Sequence, residues 1–308
     1  MTDLLIERYR ILRQVSNDQP VGRRVLAGKL NLSERILRSQ VDFLKGCGLL
    51  SYSSAGMAVT DEGSEILREL AEYVRKLQGL SSLEQILLGK LTVKKVVIIP
   101  GDSDEEAVVK REIGRAAAHV LVSLLEEGKG RIVAVSGGTT LAAAASNIRG
   151  NFPDVVVVPA RGGLGDTLEL QANTIATVMA RHLRAAYRQL YVPDSVSQEI
   201  LNSILAEDAG IRAVVDIIKH ADILVHGIGR ADVMARHRHL PQTFIDRLLE
   251  QGAVGEAVGQ YSDIRGQQIY MTNNAGLMMN DLPRIGTVFG VAAVSYTHLR
   301  AHETKANL

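Results

Sequence analysis

Three short stretches rich in glycine and polar side chains carry the residues best suited to hold a small anion. Ser136-Gly137-Gly138-Thr139-Thr140 stands between an apolar run and a helical pattern. Its glycines let backbone N–H groups approach an anion closely, the helix start favours negative charge, and Thr139 and Thr140 add hydroxyl donors. The same glycines would serve a plain strand-to-helix turn, and the Gly-Lys-Ser/Thr element of a Walker loop is absent. Pro159-Ala160-Arg161-Gly162-Gly163-Leu164-Gly165 follows the next apolar run. The fork of Arg161 suits a phosphate, or a surface carboxylate. His226-Gly227-Ile228-Gly229 follows a third run, where a lone histidine fits a hydrogen-bonded structural residue better than a catalyst. Arg236 and Arg238, interleaved with His237 and His239, add positive charge or form a solvated helix end. No cysteine or carboxylate completes a metal-ligand spacing there. Glu256 sits among small residues, where a carboxylate could accept hydroxyls of a sugar. Converging at one sheet edge, these loops point to a phosphorylated small molecule.

A different chemistry marks the first 50 residues. They hold nine Lys/Arg and five Asp/Glu, a net of +4, whereas the remainder carries −3. The whole-chain charge of +1 therefore hides a basic head, the footprint of contact with nucleic-acid phosphates. Val25, Leu26 and Leu30 mark the inner face of one helix, and Asn31-Leu32 make a turn. Ser33 can cap a second helix, with Glu34 at its positive end. Ile36, Leu37, Val41 and Leu44 then face inward, leaving Arg35, Arg38, Ser39 and Asp42 outward. That spacing is a helix-turn-helix, and Arg23, Arg24, Ser33, Glu34, Arg35, Arg38 and Ser39 become its candidate contacts to duplex DNA. Two short amphipathic helices with arginines also occur in plain bundles. The apolar stretches 49–52 and 57–60, separated by Ser53-Ser54-Ala55-Gly56, favour the winged form, because a hairpin directly after a helix-turn-helix is a wing.

Those residues need positioning elements. Residues 1–60 read as a winged-helix domain whose first helix carries Ile6, Tyr9, Ile11 and Leu12. Residues 61–90 read as a connecting helical segment, opened by Thr60-Asp61-Glu62, with a seam of Ile66, Leu70, Tyr73, Leu77 and Leu80 that is too short for a coiled coil and suits packing on a neighbouring helix, with a contribution to dimer contact as the alternative. Residues 91–293 alternate strands and helices. Strands are predicted at 95–100, 131–135, 154–159, 187–192 and 222–226, and helices at 107–125, 139–148 and 170–185. Near-continuous Val/Ile runs between helices indicate an α/β fold with a mostly parallel sheet covered on both faces. Ligands of such sheets sit beyond the carboxyl ends of the strands.

Composition bounds the class. The chain has 308 residues, 46% hydrophobic and 22% charged, ordinary values for a globular protein of about two domains. One cysteine, Cys47, excludes an internal disulfide, and its apolar neighbours suggest a small core residue. The start is a charged amphipathic helix rather than a signal peptide, no run is long enough to span a bilayer, and a cytoplasmic location is expected. Residues 294–308 differ from the rest. Val294-Ser295-Tyr296-Thr297-His298-Leu299-Arg300-Ala301-His302-Glu303-Thr304 resembles the translation of a transposon-derived sequencing adapter, and the alternative is a natural polar tail. On the adapter reading, the second domain is C-terminally truncated.

With these motifs in order, residues from about 5 to 293 resemble the SorC/DeoR group of bacterial transcriptional repressors. The matching blocks are Pro20 to Leu50, Pro100-Gly101-Asp102-Ser103-Asp104, Gly114-Arg115-Ala116-Ala117, Gly137-Gly138-Thr139-Thr140, Val158 to Gly165, Gln171-Ala172-Asn173-Thr174-Ile175 and Leu224 to Gly229. The resemblance implies a winged-helix DNA reader joined to a Rossmann-like sugar-binding domain, related to the glucosamine-phosphate deaminase and ribose-phosphate isomerase fold. It implies repression of an operon for the triose-phosphate part of glycolysis, relieved by fructose 1,6-bisphosphate, with no cofactor. It also implies a homo-oligomer, a dimer that forms a tetramer on operator DNA. Carried over by residue, Gly137, Gly138, Thr139 and Thr140 would hold phosphate, Arg161 with Gly162 and Gly163 would form a cationic clamp, and Gln171 would hydrogen-bond sugar or phosphate. Glu256 would accept sugar hydroxyls, and one of Arg236, His237 and Arg238 would be a second basic contact. A Gly-Gly loop bearing a lysine, expected after the strand that ends near Ala293, is replaced by the adapter-like tail. Two alternatives stand against a ligand-responsive repressor. One is a sugar-phosphate isomerase or deaminase with an appended helical domain, which lacks an evident acid–base pair beyond Asp222 and His226. The other is a constitutive DNA binder whose second domain only oligomerises.

Overall fold

The computed structural model describes residues 2–103, 107–163, 167–194 and 196–293. They divide into two compact units that meet in sequence at Gly101 and Asp102.

The first unit begins with α1 (Thr2–Asp18), α2 (Arg23–Leu30) and α3 (Glu34–Gly46). Between α2 and α3, Asn31 takes the left-handed conformation (φ 53°), which an asparagine tolerates at a helix end. Ser33 Oγ accepts the N–H of Ile36 at 3.3 Å, so the predicted cap is present. The hairpin β1 (Leu50–Ser53) and β2 (Gly56–Val59) pairs antiparallel, with Ser53 opposite Gly56. The core joins Ile11, Leu12 and Val15 of α1 to Leu26, Leu30, Leu37, Val41, Leu44, Leu50 and Met57. Val25 and Ile36 stand 55% and 47% exposed, against expectation. The buried stripe of α3 is Leu37, Val41 and Leu44, spaced four and three, and Ile36 lies one step of about 100° off it. Cys47 is exposed as well. It caps the C-terminus of α3, where the chain turns away from the core.

The unit continues through α4 (Asp61–Leu77), capped by Thr60 Oγ1 on the N–H of Gly63, and α5 (Leu80–Lys90). Gly79 at φ 71° separates these helices, so Leu80 does not extend the seam of Ile66, Leu70, Tyr73 and Leu77. The stretch 95–100 is not a strand. The Ile98 N–H donates to Glu84 Oε1 at 2.7 Å and its carbonyl accepts Arg75 Nη1 at 2.5 Å, so side chains satisfy the backbone where a neighbouring strand was expected.

The second unit is a three-layer α/β/α arrangement. Its elements run α6 (Ala107–Glu126), β3 (Ile132–Val135), α7 (Thr139–Asn147), β4 (Val156–Pro159), α8 (Ala172–Leu183), β5 (Ala186–Tyr187), α9 (Gln198–Glu207) and α10 (Ala209–Lys219). They continue with β6 (Ile223–Arg230), α11 (Ala231–His237), α12 (Gln242–Glu250), β7 (Gly255–Ala257), β8 (Gln260–Ser262), β9 (Gln268–Met271) and β10 (Thr287–Ala292). β3 and β10 both pair with residues 223–225 of β6, so they lie on its opposite edges, and the parallel strands run β5-β4-β3-β6-β10. The far end of β6 leaves this sheet and pairs antiparallel with β7, which continues through β8 to β9. Alternation along β3 sends Val133 and Val135 to a core with α6, α7 and α8, and Ala134 to a second core with α9 and α10. Residues 188–192, predicted as strand, have no ladder. The amide of Asn173 takes both backbone groups of Leu190, accepting its N–H and donating to its carbonyl at 2.9 Å each. The predicted tail, 294–308, lies outside the described residues.

Candidate functional site

The carboxyl ends of β3, β4 and β6 border a cavity of about 660 Å³, within the range of small-ligand sites. Gly137, Gly138, Thr139, Thr140, Arg161, Gly162, Gln171, Arg236, Arg238 and Glu256 all line it. Gly163 does not; it forms a bridge with Pro193 instead. Leu164 and Gly165 of the same motif lie outside the described residues.

At one end stands the N-terminus of α7. Gly138, at φ 115°, donates its N–H to the carbonyl of Leu170 at 2.9 Å, and its carbonyl begins the helix ladder by accepting Ala142. The first amides of α7 have no partner one turn earlier in the helix, and Gly138 offers no side-chain cap in their place. Ser136 Oγ accepts the N–H of Gly227 at 3.1 Å and so ties the β3 loop to the β6 loop.

The opposite wall is a buried charge network. Arg161 Nη1 donates to the carbonyl of Val258 at 2.6 Å, and Nη2 donates to Thr272 Oγ1 at 2.6 Å and to Asp194 Oδ1 at 2.9 Å. Arg238 donates to Asp194 Oδ2 and, at 2.8 Å, to Glu256 Oε1. Glu256 Oε1 also accepts the N–H of Gly259 at 2.6 Å. Two guanidinium groups thus face two carboxylates, each of these side chains at most 7% exposed. The fork of Arg161 is committed to protein groups. Burial lowers its pKa against the pull of Asp194. Burial would lower that of Arg238 too, but the charges of Glu256 and Asp194 outweigh it and raise the value. Burial pushes the neighbouring Tyr261 hydroxyl up to about 12. Arg161 Nε, Arg238 Nε and the Tyr261 hydroxyl are buried without a hydrogen-bond partner.

Local backbone builds this wall. A Cβ on Gly162 would lie 2.3 Å from the carbonyl of Val192, so only glycine lets the β4 loop press against the segment that carries Asp194. At the turn between β7 and β8, Val258 and Gly259 have φ 51° and 81°. A β-branched residue there is strained, and the bonds from Arg161 to Val258 and from Gly259 to Glu256 hold it. A Cβ on Gly259 would meet Arg161 Nη1 at 2.1 Å.

Arg236 of α11 and Arg230 at the end of β6 share Asp232, at 3.0 and 2.9 Å. Burial alone would raise the pKa of Asp232, but the bonds and charge of Arg230, with Arg236, lower it. His226 is 6% exposed, its ring nitrogen Nδ1 lies 3.0 Å from the carbonyl of Gly227, and burial lowers its pKa. It is absent from the cavity wall, in line with a structural role.

Sequence reasoning missed Asp194, Thr272, Arg230 and Lys110. The signal for Asp194 was faint: a carboxylate just past the apolar stretch ending at Val192. Thr272 comes from a region with no motif, and Lys110 is one charge among several on α6.

In the first unit, Arg35, Arg38 and Ser39 on α3 are exposed and carry no bond to another described residue. Arg23 is exposed, and Arg24 lies 3.5 Å from Glu34 with both side chains largely in solvent. That pair contributes little. The outer face of α3 thus presents exposed cations to solvent. No described helix is long and apolar enough to cross a membrane, and no described cluster of residues could hold a metal ion.

Comparison with known proteins places both units. Residues 4–74 match the CggR N-terminal DNA binding domain, and residues 75–296 match the family described as "Putative sugar-binding domain". Two relatives are each named Central glycolytic genes regulator. The one from Priestia megaterium is 41% identical over 297 residues, covering 96% of this chain and 86% of the relative. The one from Bacillus subtilis is 38% identical over 300 residues, covering 96% and 87%. A SorC family transcriptional regulator from Enterococcus faecalis superposes with a TM-score of 0.62 at 34% identity, over 68% of this chain and 86% of that one. The full-length sorbitol operon regulator SorC from Klebsiella pneumoniae shares the fold over 92% of this chain and 87% of its own, with a TM-score of 0.60 at 18% identity.

Proposed function

The chain belongs to the central glycolytic genes regulator family of SorC-type transcriptional regulators, and we propose that it is a repressor of glycolytic genes whose grip on operator DNA is set by fructose 1,6-bisphosphate. The observation that carries this reading is the cavity. It joins the free amides of a helix N-terminus, two threonine hydroxyls and a wall bearing five cationic side chains and two carboxylates. Each phosphate of a sugar carries about −1.5 to −2 charge near pH 7. One phosphate would take the α7 amides with Thr139 and Thr140, and Gln171 would bond the ligand beside it. The other would take Arg236 on α11. Arg161 and Arg238 form the charged floor between these places, supported by Gly162, and Glu256 presents a carboxylate to the hydroxyls of the sugar. Two separated anion places favour a bisphosphate over a monophosphate.

On the DNA side, Arg35, Arg38 and Ser39 would read base edges or phosphates, and Arg23, Arg24, Ser33 and Glu34 would position the motif. The exposed Ile36 suits contact with a thymine methyl. Binding as a dimer and tetramer would use the exposed apolar residues Tyr73, Leu77, Leu83 and Ile86. The ligand acts through its different affinity for the DNA-gripping and released arrangements. Gel retention of a duplex selected by the protein from a random pool tests the reading. Retention should fall when fructose 1,6-bisphosphate is added and stay unchanged with fructose. Retention indifferent to every sugar phosphate would overturn it.

A further inference from the structure

We propose that Lys110 of α6 is the residue that gives the cavity its affinity for a phosphorylated ligand. Five cationic side chains line this space, and four of them already face carboxylates. Arg161 and Arg238 hold Asp194 and Glu256, and Arg230 and Arg236 share Asp232. Lys110 alone carries no ion pair or hydrogen bond to a described residue. The four guanidiniums face three carboxylates, Asp194, Glu256 and Asp232, which offset most of their charge, so Lys110, with no counter-charge among the described residues, adds a full positive charge to the field of the α7 amides.

The packing of α6 on α7 puts the ammonium at that place. The two helices cross at Gly114 and Ala143, so closely that a Cβ on Gly114 would lie 2.7 Å from the carbonyl carbon of Ala143. One turn back from each crossing residue come Lys110 and Thr139, and both line the cavity. The turn bearing Lys110 is anchored by Val108 and Val109, 3% and 1% exposed. The residue itself is only half-buried, so its side chain stays reachable from the cavity. A phosphate at the α7 N-terminus would receive backbone donors from one helix and an ammonium from the other.

The inference rests on the cavity taking a sugar phosphate, and calorimetric titration of the full chain with fructose 1,6-bisphosphate separates the two. The wild type should bind; failure to bind any sugar phosphate would overturn both readings. Lys110→Met should weaken binding by about ten- to a hundredfold, the range of a charge-assisted contact, with a melting temperature like that of the wild type. Lys110→Arg should stay within about threefold. The salt dependence of affinity should be shallower in Lys110→Met, an effect that a merely structural lysine would not produce. If Lys110→Met melts early, Lys110→Gln against Lys110→Arg makes the same comparison. Wild-type affinity in the neutral variant, or equal loss in the neutral and arginine variants, would overturn the proposal while leaving the sugar-phosphate reading intact.

Discussion

Arginine does opposite work in the two units. On α3, Arg35 and Arg38 stand in solvent with no described partner, and their charge is available to a phosphate backbone or a base edge. In the cavity, Arg161 and Arg238 are almost wholly buried, and every terminal nitrogen of theirs with a recorded partner goes to a protein acceptor. An exposed cation adds little to stability and much to binding; a buried one cannot exist without its counter-charge. The same side chain is therefore open to a ligand in one unit and part of a structural frame in the other. Composition cannot separate these roles. Burial and partners do.

The largest expected effect tests the frame. Asp194→Ala removes the carboxylate that Arg161 and Arg238 share and leaves two buried guanidiniums short of a partner. The loss should reach about 3–5 kcal/mol, the cost of stranding a buried charge. In thermal melts followed by circular dichroism, the second unit should unfold at a much lower temperature. A drop of only a degree or two would mean that the network is solvated and that the contrast drawn here is too sharp.

Arg38→Ala tests the other side. Removing an exposed, unpaired arginine should leave the melting temperature unchanged and weaken operator binding by about 1–3 kcal/mol if it reads a base. If it meets a phosphate instead, the slope of log affinity against log salt should fall by about one unit. Calorimetry with fructose 1,6-bisphosphate should not distinguish this variant from the wild type. A loss of sugar-phosphate binding would break the separation between the two units.

The parts legible in the sequence were those governed by local patterns. Ser33 as a cap, the Asn31 turn, the β1–β2 hairpin and the Ser136–Thr140 loop all follow from residue types at fixed spacing, and each is in place. The two failed strands share a cause. At 95–100 and 188–192 the apolar pattern is right, but distant side chains, Glu84 with Arg75 and Asn173, satisfy the backbone in place of a neighbouring strand. Such long-range substitution leaves no periodic trace. The antiparallel β7–β9 extension, with strands of three or four residues, was equally invisible, and with it the strained turn at Val258. Arg161 does line the cavity, yet its partners Asp194, Val258 and Thr272 lie 33, 97 and 111 residues away. A fork alone does not say whether it waits for a ligand or has already closed on the protein.

The smallest effect concerns the buried base of the cavity unit, His226, and it extends the comparison to a group with no partner charge in contact. Burial is the leading cause of its lowered pKa, opposed by the bond to Gly227 and the charge of Glu256. The folded chain thus resists a proton that the unfolded chain accepts near the ordinary value of 6.5. In the window below that value the unfolded state binds more protons, so stability must fall as pH drops through it and level off once the depressed native value is passed. His226→Asn keeps an amide donor for the carbonyl of Gly227 but cannot titrate. Both proteins should lose stability towards pH 5 from other groups, and the variant should lose less between pH 7 and pH 5. Melting curves at half-unit pH steps give the difference directly. Parallel curves would mean that the folded state takes the proton as readily as the unfolded one, and that burial alone does not keep this part of the frame neutral.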